Sequence, residues 1–279
     1  MIIPIVEIYS SLGQDESVPV TTANSAKKKW QIRLEEELSL RQPFDSWSPD
    51  QWRQKLKNTK LLSDNYDTVV SLDWPHYCGG ASLGCGGENG WCYTLGGQLG
   101  GGAKRSKRAA MTDSLARNYP ALFAEIVSVE VNTLAAANEI SYPNLRFSGS
   151  GELHPAHLPA MFQLKDRGVN LWGFSRNISM AIELRDYSIN VIFSCDSTTP
   201  IKKIREARRN GLQLAYTSTG VSDAPPEGVF VTFPLHRSGK VREIVVADSV
   251  CPKVEQEYLE GKRTRAACQT KCMRCHRSL

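Results

Sequence analysis

Several features that would place this chain in a common class of protein are missing from its sequence. No apolar run approaches the roughly 20 residues needed to span a bilayer, and residues 1–17 lack the basic start and the cleavage site of a secretory signal. The net charge of +5 over 279 residues permits an anionic substrate but is low for a dedicated nucleic-acid binder. We find no internal repeat. These absences lead us to expect a soluble, cytoplasmic protein without a membrane partner.

Cysteine is present, and its distribution is uneven. The eight cysteines are Cys78, Cys85, Cys92, Cys195, Cys251, Cys268, Cys272 and Cys275. The first three lie in a glycine-rich stretch, the last four lie beyond residue 250, and Cys195 stands alone. A chain of this length has no need of disulfide bonds to hold its fold, and clustered thiolates in a reducing compartment usually hold metal. Seven cysteines are therefore candidate metal ligands, whereas Cys195 is either a buried apolar residue or a thiol that faces substrate.

Hydrophobic patterning divides the chain into a helical extension over residues 1–64, an α/β region over 65–248 and a cysteine-rich region over 249–279. The extension contains a predicted helix over Ala26–Leu40 and another that begins after a Ser48 cap. Short apolar segments predict strands at Thr68–Leu72, Asn144–Ser148, Asn170–Phe174, Asn190–Ser194, Leu212–Thr217, Val229–Phe233 and Glu243–Ala247. Amphipathic segments predict helices at Lys104–Asn118, Ala121–Asn138, Ala156–Asp166, Ile178–Asp186 and Ile201–Arg209. This alternation favours parallel strands with helical crossovers, and so an α/β barrel or a doubly wound sheet.

The glycine-rich stretch reads HYCGGASLGCGGENGWCYTLGGQLGG and has six residues between successive cysteines. So many glycines disfavour a helix and permit a long loop that brings the three sulfurs together. Three thiolates leave one iron of a [4Fe–4S] cluster open to an exchangeable ligand, whereas a structural zinc site is closed by four protein ligands. His76 is the candidate fourth ligand of such a zinc site.

A second polar stretch, SGSGELHP, follows the predicted strand at Asn144–Ser148. Its glycines place bare backbone at the carboxyl end of a strand, where α/β folds collect their ligands. Glu152 offers an acceptor at this edge. The next strand along the chain ends in FSRN, and the one after it ends in FSCD.

These motifs, in this order, resemble the radical S-adenosylmethionine (SAM) superfamily. Its members carry three cysteines on the loop after the first barrel strand, usually with three and two residues between them and an aromatic residue before the last, as Trp91 precedes Cys92. SGSGELHP resembles their Gly-Gly-Glu-Pro segment, with Ser150 in place of the first glycine. FSRN lies where many members have Thr-Asn-Gly, and NVIFSCDSTTP resembles their fourth strand. A closer resemblance is to phage- and plasmid-encoded iron–sulfur proteins of undefined activity, which share the Cys-Tyr loop end and a C-terminal Cys-Pro followed by a compact cysteine group.

The resemblance implies a partial (β/α)6 TIM-like barrel in which Cys78, Cys85 and Cys92 hold a [4Fe–4S] cluster and SAM chelates the open iron. Reductive cleavage of SAM would give a 5′-deoxyadenosyl radical that takes a hydrogen atom from the substrate. Glu152 would accept from the methionyl amine, and Arg176 would either pair with the SAM carboxylate or lie at the surface. The implied cofactor-binding set is Ser150, Gly151, Glu152, Ser175, Arg176, Asn177 and Ser194. The electron would come from a donor such as ferredoxin or flavodoxin, and the substrate would be a small molecule, a nucleotide or RNA.

The C-terminal group contains Cys251 and the run CQTKCMRC, which supplies Cys268, Cys272 and Cys275. Four cysteines saturate a second [4Fe–4S] cluster and equally close a structural zinc site. The spacing within CQTKCMRC matches the usual superfamily loop, so this group is also a rival candidate for the SAM-binding cluster. We favour the auxiliary assignment because the group follows the last predicted strand.

Two other functions stay open at this stage. A non-catalytic, metal-stabilised module could bind nucleic acid or a protein through its basic surfaces. The basic run AKRSKRAA over residues 103–110 is predicted to be a solvated helix face, with contact to a phosphate as the alternative. A SAM-independent iron–sulfur enzyme could instead use its open iron as a Lewis acid.

Overall fold

The computed structural model describes residues 29–65, 69–77, 103–137, 144–218 and 224–234. The seven candidate metal-ligating cysteines, the strand predicted at Glu243–Ala247 and the region 249–279 lie outside these residues. The described part of the chain contains seven α-helices and seven strands. The predicted α/β class is therefore confirmed.

The helices and strands agree closely with the sequence pattern. In chain order they are α1 (Lys29–Asp45), α2 (Pro49–Leu56), β1 (Ser63–Asn65), β2 (Val69–His76), α3 (Ala103–Asn118), α4 (Pro120–Ala137), β3 (Asn144–Glu152), a 3₁₀ turn (Pro155–His157), α5 (Leu158–Asp166), β4 (Asn170–Ser175), α6 (Ile178–Asp186), β5 (Asn190–Asp196), α7 (Ile201–Arg209), β6 (Gln213–Ser218) and β7 (Val231–Pro234). Helices α6 and α7 have the predicted bounds. Strand β1 was not predicted.

The seven strands form one sheet in the order β1 to β7. Strand β1 is antiparallel to β2, and β2 to β7 are parallel to one another. Adjacent parallel strands require a crossover connection, and the helices between β2 and β6 supply it. Six parallel strands in sequential order are compatible with a partial α/β barrel.

The helices cover one face of this sheet. Alternate residues of the strands, such as Leu145, Phe147 and Phe193, pack with the helices in one large core. The opposite face carries a smaller cluster of Trp172, Ile192, Ala215 and Val231, flanked by Phe174, Phe230 and Phe233. No helix residue from the described part of the chain belongs to this cluster. We call it the helix-free face.

The helical extension packs on the α/β region. Helix α2 begins at a capping box, in which Gln51 N donates to Ser48 Oγ at 3.4 Å and Ser48 N donates to Gln51 Oε1 at 2.7 Å, as the Ser48 cap predicted. Trp52 is fully buried and packs on Phe44 and Trp47. Helix α1 continues through Pro43 to Asp45, five residues beyond its predicted end at Leu40.

Among the described residues, one helix is long and apolar enough to cross a membrane by length and composition alone, and this is α4. Its side chains Leu122, Phe123, Val127 and Val131 are buried in the core against the sheet and its neighbouring helices. These four side chains therefore belong to the core of the α/β region.

Candidate functional site

Buried polar side chains gather at the carboxyl ends of β2, β3, β4 and β5. These strands are parallel, so their carboxyl ends meet at the same edge of the sheet, where α/β folds bind ligands. Strand β2 ends at His76, and Cys78 follows two residues later in the sequence. His76 and Glu152 are register partners. The end of β3 thus lies beside the residue two positions before the first candidate metal-ligating cysteine.

Gly151 makes the close approach of β3 to β2 possible. Its φ is +73°, a left-handed conformation that favours glycine. A Cβ at this position would overlap the carbonyl oxygen of Trp74 and lie 2.6 Å from that of Pro75. Only glycine therefore fits between the sharp turn of β3 and the backbone of β2.

We expect Gly151→Ala to destabilise the protein far more than the matched variant Gly168→Ala. Both glycines have a positive φ, +73° and +80°, but nothing lies within 4 Å of a Cβ at Gly168. The control should therefore lose about 1–2 kcal/mol from backbone strain alone. Gly151→Ala should lose at least about 2 kcal/mol more, because its methyl group must displace β2 backbone. Urea unfolding of both variants tests this, and equal losses would contradict the close approach of β2 and β3.

Glu152 is a carboxylate that is 8% exposed at the end of β3. Its Oε1 accepts from Leu153 N at 3.1 Å, and its Oε2 accepts from Arg176 N at 3.0 Å. Burial raises the pKa of Glu152 to about 7, although these hydrogen bonds and the charge of Arg176 oppose the shift. When burial raises the pKa of a carboxyl group, a cation placed beside it stabilises the charged form. Glu152 is therefore suited to accept a hydrogen bond from a ligand ammonium group.

The residues after β4 are tied to neighbouring elements. Asn177 N donates to Ser175 Oγ at 3.0 Å, and Asn177 Oδ1 caps α6 by accepting from Met180 N at 3.2 Å. The guanidinium of Arg176 pairs with Asp196 Oδ2 at 2.9 Å. Arg176 therefore bridges the ends of β4 and β5. Sequence reasoning identified no partner for Asp196, and the structure supplies this one.

Two neighbouring residues at the end of β5 differ in their surroundings. Ser194 is half-buried, and its hydroxyl forms no hydrogen bond with the described residues. Cys195 is fully buried and its thiol donates to Ala215 O at 3.5 Å. Burial raises the pKa of this thiol to about 12, so it stays protonated near neutrality. Cys195 is thus a buried apolar residue, and Ser194 keeps a hydroxyl that can bind a ligand.

Ser150 belongs to a buried charge network that joins α1, β2, β3 and α3. Its hydroxyl donates to Asp73 and accepts from Arg105 Nε at 2.7 Å. Arg105 Nη1 also pairs with Glu37 Oε1 at 3.1 Å. Glu37 Oε2 in turn accepts from the backbone N and the ring Nδ1 of His76, each at 2.9 Å. The Ser150 hydroxyl is therefore held between protein groups, unlike that of Ser194.

The basic run at the start of α3 was predicted to be solvated, and this is wrong for two of its members. Lys104 and Lys107 are exposed, but Arg105 is buried and Arg108 is half-buried, with its Nε 3.0 Å from Asp73 Oδ2. The physical reason is that α3 packs against α1 and β2, which present carboxylates to it. A carboxylate inside the apolar segment VVSLDW was the signal in the sequence.

A second buried cluster, which sequence reasoning missed, surrounds Asp113 on α3. This carboxylate accepts from Arg41 Nη1 at 2.8 Å, Arg117 Nε at 2.8 Å and Tyr77 Oη at 3.0 Å, and it also contacts His157 Nε2. Burial acts to raise the pKa of Asp113, but the hydrogen bond from His157 and the neighbouring positive charges outweigh it and hold that pKa well below its usual range. Tyr77 precedes Cys78, so the cluster fixes the chain directly before the first candidate metal-ligating cysteine.

The described residues do not include the seven candidate metal-ligating cysteines. They contain no group of three or more His, Cys, Asp or Glu side chains arranged to hold a metal ion. Of the residues considered as ligands, only His76 lies within them, and its Nδ1 is bonded to Glu37. The two cysteine groups stay predictions.

Comparison with known proteins assigns no relative: no protein family, no curated protein and no solved structure matches the chain.

Proposed function

We propose that the chain is a radical SAM-type iron–sulfur enzyme that reductively cleaves SAM and modifies an anionic or nucleotide-like substrate. One observation carries the proposal. The cysteine loop follows the first parallel strand, β2, and the buried carboxylate of Glu152 ends the second, β3, in register with His76. The superfamily resemblance implies this order of a cysteine loop and an acidic strand end on adjacent strands.

The residues at the strand ends fit SAM in different ways. Glu152 fits the methionyl amine, because its raised pKa favours a cationic neighbour. Ser194 keeps a hydroxyl for the carboxylate or the ribose, and Gly151 lets β3 approach β2 closely. The other side chains stabilise the carboxyl edge of the sheet through the contacts described above; they are Ser150, Ser175, Arg176 and Asn177. When bound, the cluster supplies the electron that cleaves the sulfonium, with a ferredoxin or flavodoxin as the upstream donor.

The proposal extends to the organisation of the chain. Residues 65–248 form a partial (β/α)6 TIM-like barrel, and residues 1–64 form an extension whose Glu37 is part of the site edge. Residues 249–279 hold a second [4Fe–4S] cluster or a zinc ion through Cys251, Cys268, Cys272 and Cys275. The enzyme is cytoplasmic.

Anaerobic purification should give a brown, oxygen-sensitive protein with about eight irons that forms 5′-deoxyadenosine when reduced with SAM. SAM should also change the electron paramagnetic resonance spectrum of the reduced cluster. Cys92→Ala should abolish the formation of 5′-deoxyadenosine and the spectral change on SAM addition. Cys195→Ser should preserve both, because the Cys195 thiol is buried in the core. Stoichiometric zinc without iron after anaerobic reconstitution would contradict the proposal.

A second candidate is a metal-stabilised module that binds nucleic acid. Helix α7 favours it, since its exposed side carries Lys202, Arg205 and Arg209. This function predicts RNA or DNA binding that weakens steeply with salt and that persists in Glu152→Gln. The absence of salt-dependent binding in a filter assay would remove this candidate.

A further inference from the structure

Arg146 lies on the helix-free face of the sheet. It belongs to β3 and is the register partner of Trp172 on β4. Its guanidinium carbon lies 5.8 Å from the centroid of the Trp172 ring and 5.2 Å from that of Phe174. The cation therefore rests against two aromatic rings.

Arg146 differs from the other arginines near the candidate site in that no anionic partner for it lies among the described residues. No carboxylate from the described part of the chain pairs with it, and its Nε is buried without a hydrogen-bond acceptor. Five other arginines of the site region each pair with a carboxylate: Arg41, Arg105, Arg108, Arg117 and Arg176. Arginine stays charged at any physiological pH, and a buried donor without an acceptor costs free energy. An acceptor supplied from outside these residues would remove that cost.

The guanidinium carbon of Arg146 lies closer to the ring of Phe174 than to that of Trp172, and Phe174 is two residues nearer the carboxyl end of β4. Beyond the Arg146–Trp172 pair the ladder between β3 and β4 stops, and the Ser148 hydroxyl bridges the strands by accepting from Phe174 N at 3.2 Å and donating to Phe174 O at 2.8 Å. The Ser148 hydroxyl therefore continues the contact between β3 and β4 beyond Arg146.

We propose that Arg146 binds the anionic group, a carboxylate or a phosphate, of a substrate whose apolar part lies against Phe174 and Phe233. The planar guanidinium can form bidentate hydrogen bonds with either a carboxylate or a phosphate. Phe174 and Phe233 are half-buried and meet edge to face, with centroids 5.7 Å apart, so both keep ring surface for an apolar contact. This inference rests on the proposed function in treating the ligand as substrate, but the anion site itself requires no SAM.

The test uses the full chain, purified anaerobically, without SAM or reductant. The probes are phenyl phosphate and phenylacetate, with neutral benzyl alcohol as the control ligand, and binding is measured by ligand-observed NMR titration. We expect wild type to bind at least one of the two anions about tenfold more tightly than benzyl alcohol, and the preferred anion identifies phosphate or carboxylate. Arg146→Met should remove this preference and leave benzyl alcohol binding unchanged. Arg167→Met, which alters an exposed arginine after α5, should bind as wild type does.

The outcomes separate this inference from the proposed function. Equal binding of anions and benzyl alcohol by wild type, or an intact anion preference in folded Arg146→Met, overturns the anion site. If Arg146→Met does not fold, Arg146→Lys serves instead: it keeps the charge but lacks the bidentate geometry, so an anion affinity equal to that of wild type overturns the proposal. An anion site in a protein that never forms 5′-deoxyadenosine would refute the proposed function and leave this site standing.

Discussion

Arg105→Met is expected to lower the free energy of unfolding by about 3–5 kcal/mol, the usual cost of breaking a buried ion pair by removing one partner. The guanidinium of Arg105 is buried among Glu37, Ser150 and the carbonyl oxygen of Trp74. Methionine fills the space of the aliphatic stem but donates no hydrogen bond. Among the described residues, His76 would then be the remaining side-chain partner of the buried Glu37 carboxylate.

The matched control is Lys104→Met, which removes a positive charge from the preceding, exposed residue of α3. Surface substitutions of this kind usually change stability by less than about 0.5 kcal/mol. Urea unfolding followed by circular dichroism measures both variants. A loss below about 1 kcal/mol for Arg105→Met would show that the network does not hold α1 to the sheet.

The helices and strands of the α/β region were predictable because local signals agree with the final packing. Helix α6 illustrates this, since Asn177 provides a side-chain cap and buried residues recur on one face at Met180, Ala181 and Leu184. Strand β1 shows the limit. Its three residues, Ser63–Asn65, are polar and carry no alternating pattern, and they form a strand because they pair with β2. Pairing of that kind is a property of the tertiary structure and not of the local sequence.

The candidate site was predictable as a set of positions but not as a set of contacts. Glu152, Arg176 and Asp196 could each be placed at a strand end. The pairing of Arg176 with Asp196, and of Arg105 with a glutamate 68 residues away, depends on which elements pack together. A basic run on a helix therefore indicates solvent exposure only when nothing acidic packs against it.

The buried charges also change how the extension is understood. Glu37 on α1 accepts from His76 at the end of β2, and Arg41 on the same helix reaches Asp113 beside Tyr77. His76 and Tyr77 are the two residues that precede Cys78. The extension therefore holds the chain directly before the first candidate metal-ligating cysteine, and truncation of α1 should alter the candidate site.

Glu152→Gln is expected to weaken SAM binding about 10–100-fold, the cost of losing a charged acceptor for an ammonium group. The pH dependence tests the same carboxylate. Because burial raises the pKa of Glu152 to about 7, it is largely protonated below pH 7 and cannot pair with a cation. Its charged neighbours, Arg176 and Asp196, are paired with each other. Wild-type affinity should therefore rise as the pH increases through 7 and fall again above about 8, where an α-amino group loses its proton.

Equilibrium dialysis with radiolabelled SAM, without reductant, measures this affinity apart from cleavage. The Glu152→Gln variant should bind SAM weakly, and its affinity should no longer rise as the pH increases through 7, because glutamine does not titrate. The control variant Glu183→Gln, on the exposed side of α6, should keep both the wild-type affinity for SAM and its rise through pH 7. If Glu152→Gln binds SAM as tightly as wild type, with the same rise in affinity through pH 7, another residue must contact the methionyl amine of SAM. The order of the cysteine segment and Glu152 in the sequence would then no longer support SAM binding. That support depends on the buried Glu152 carboxylate accepting a hydrogen bond from the SAM ammonium group.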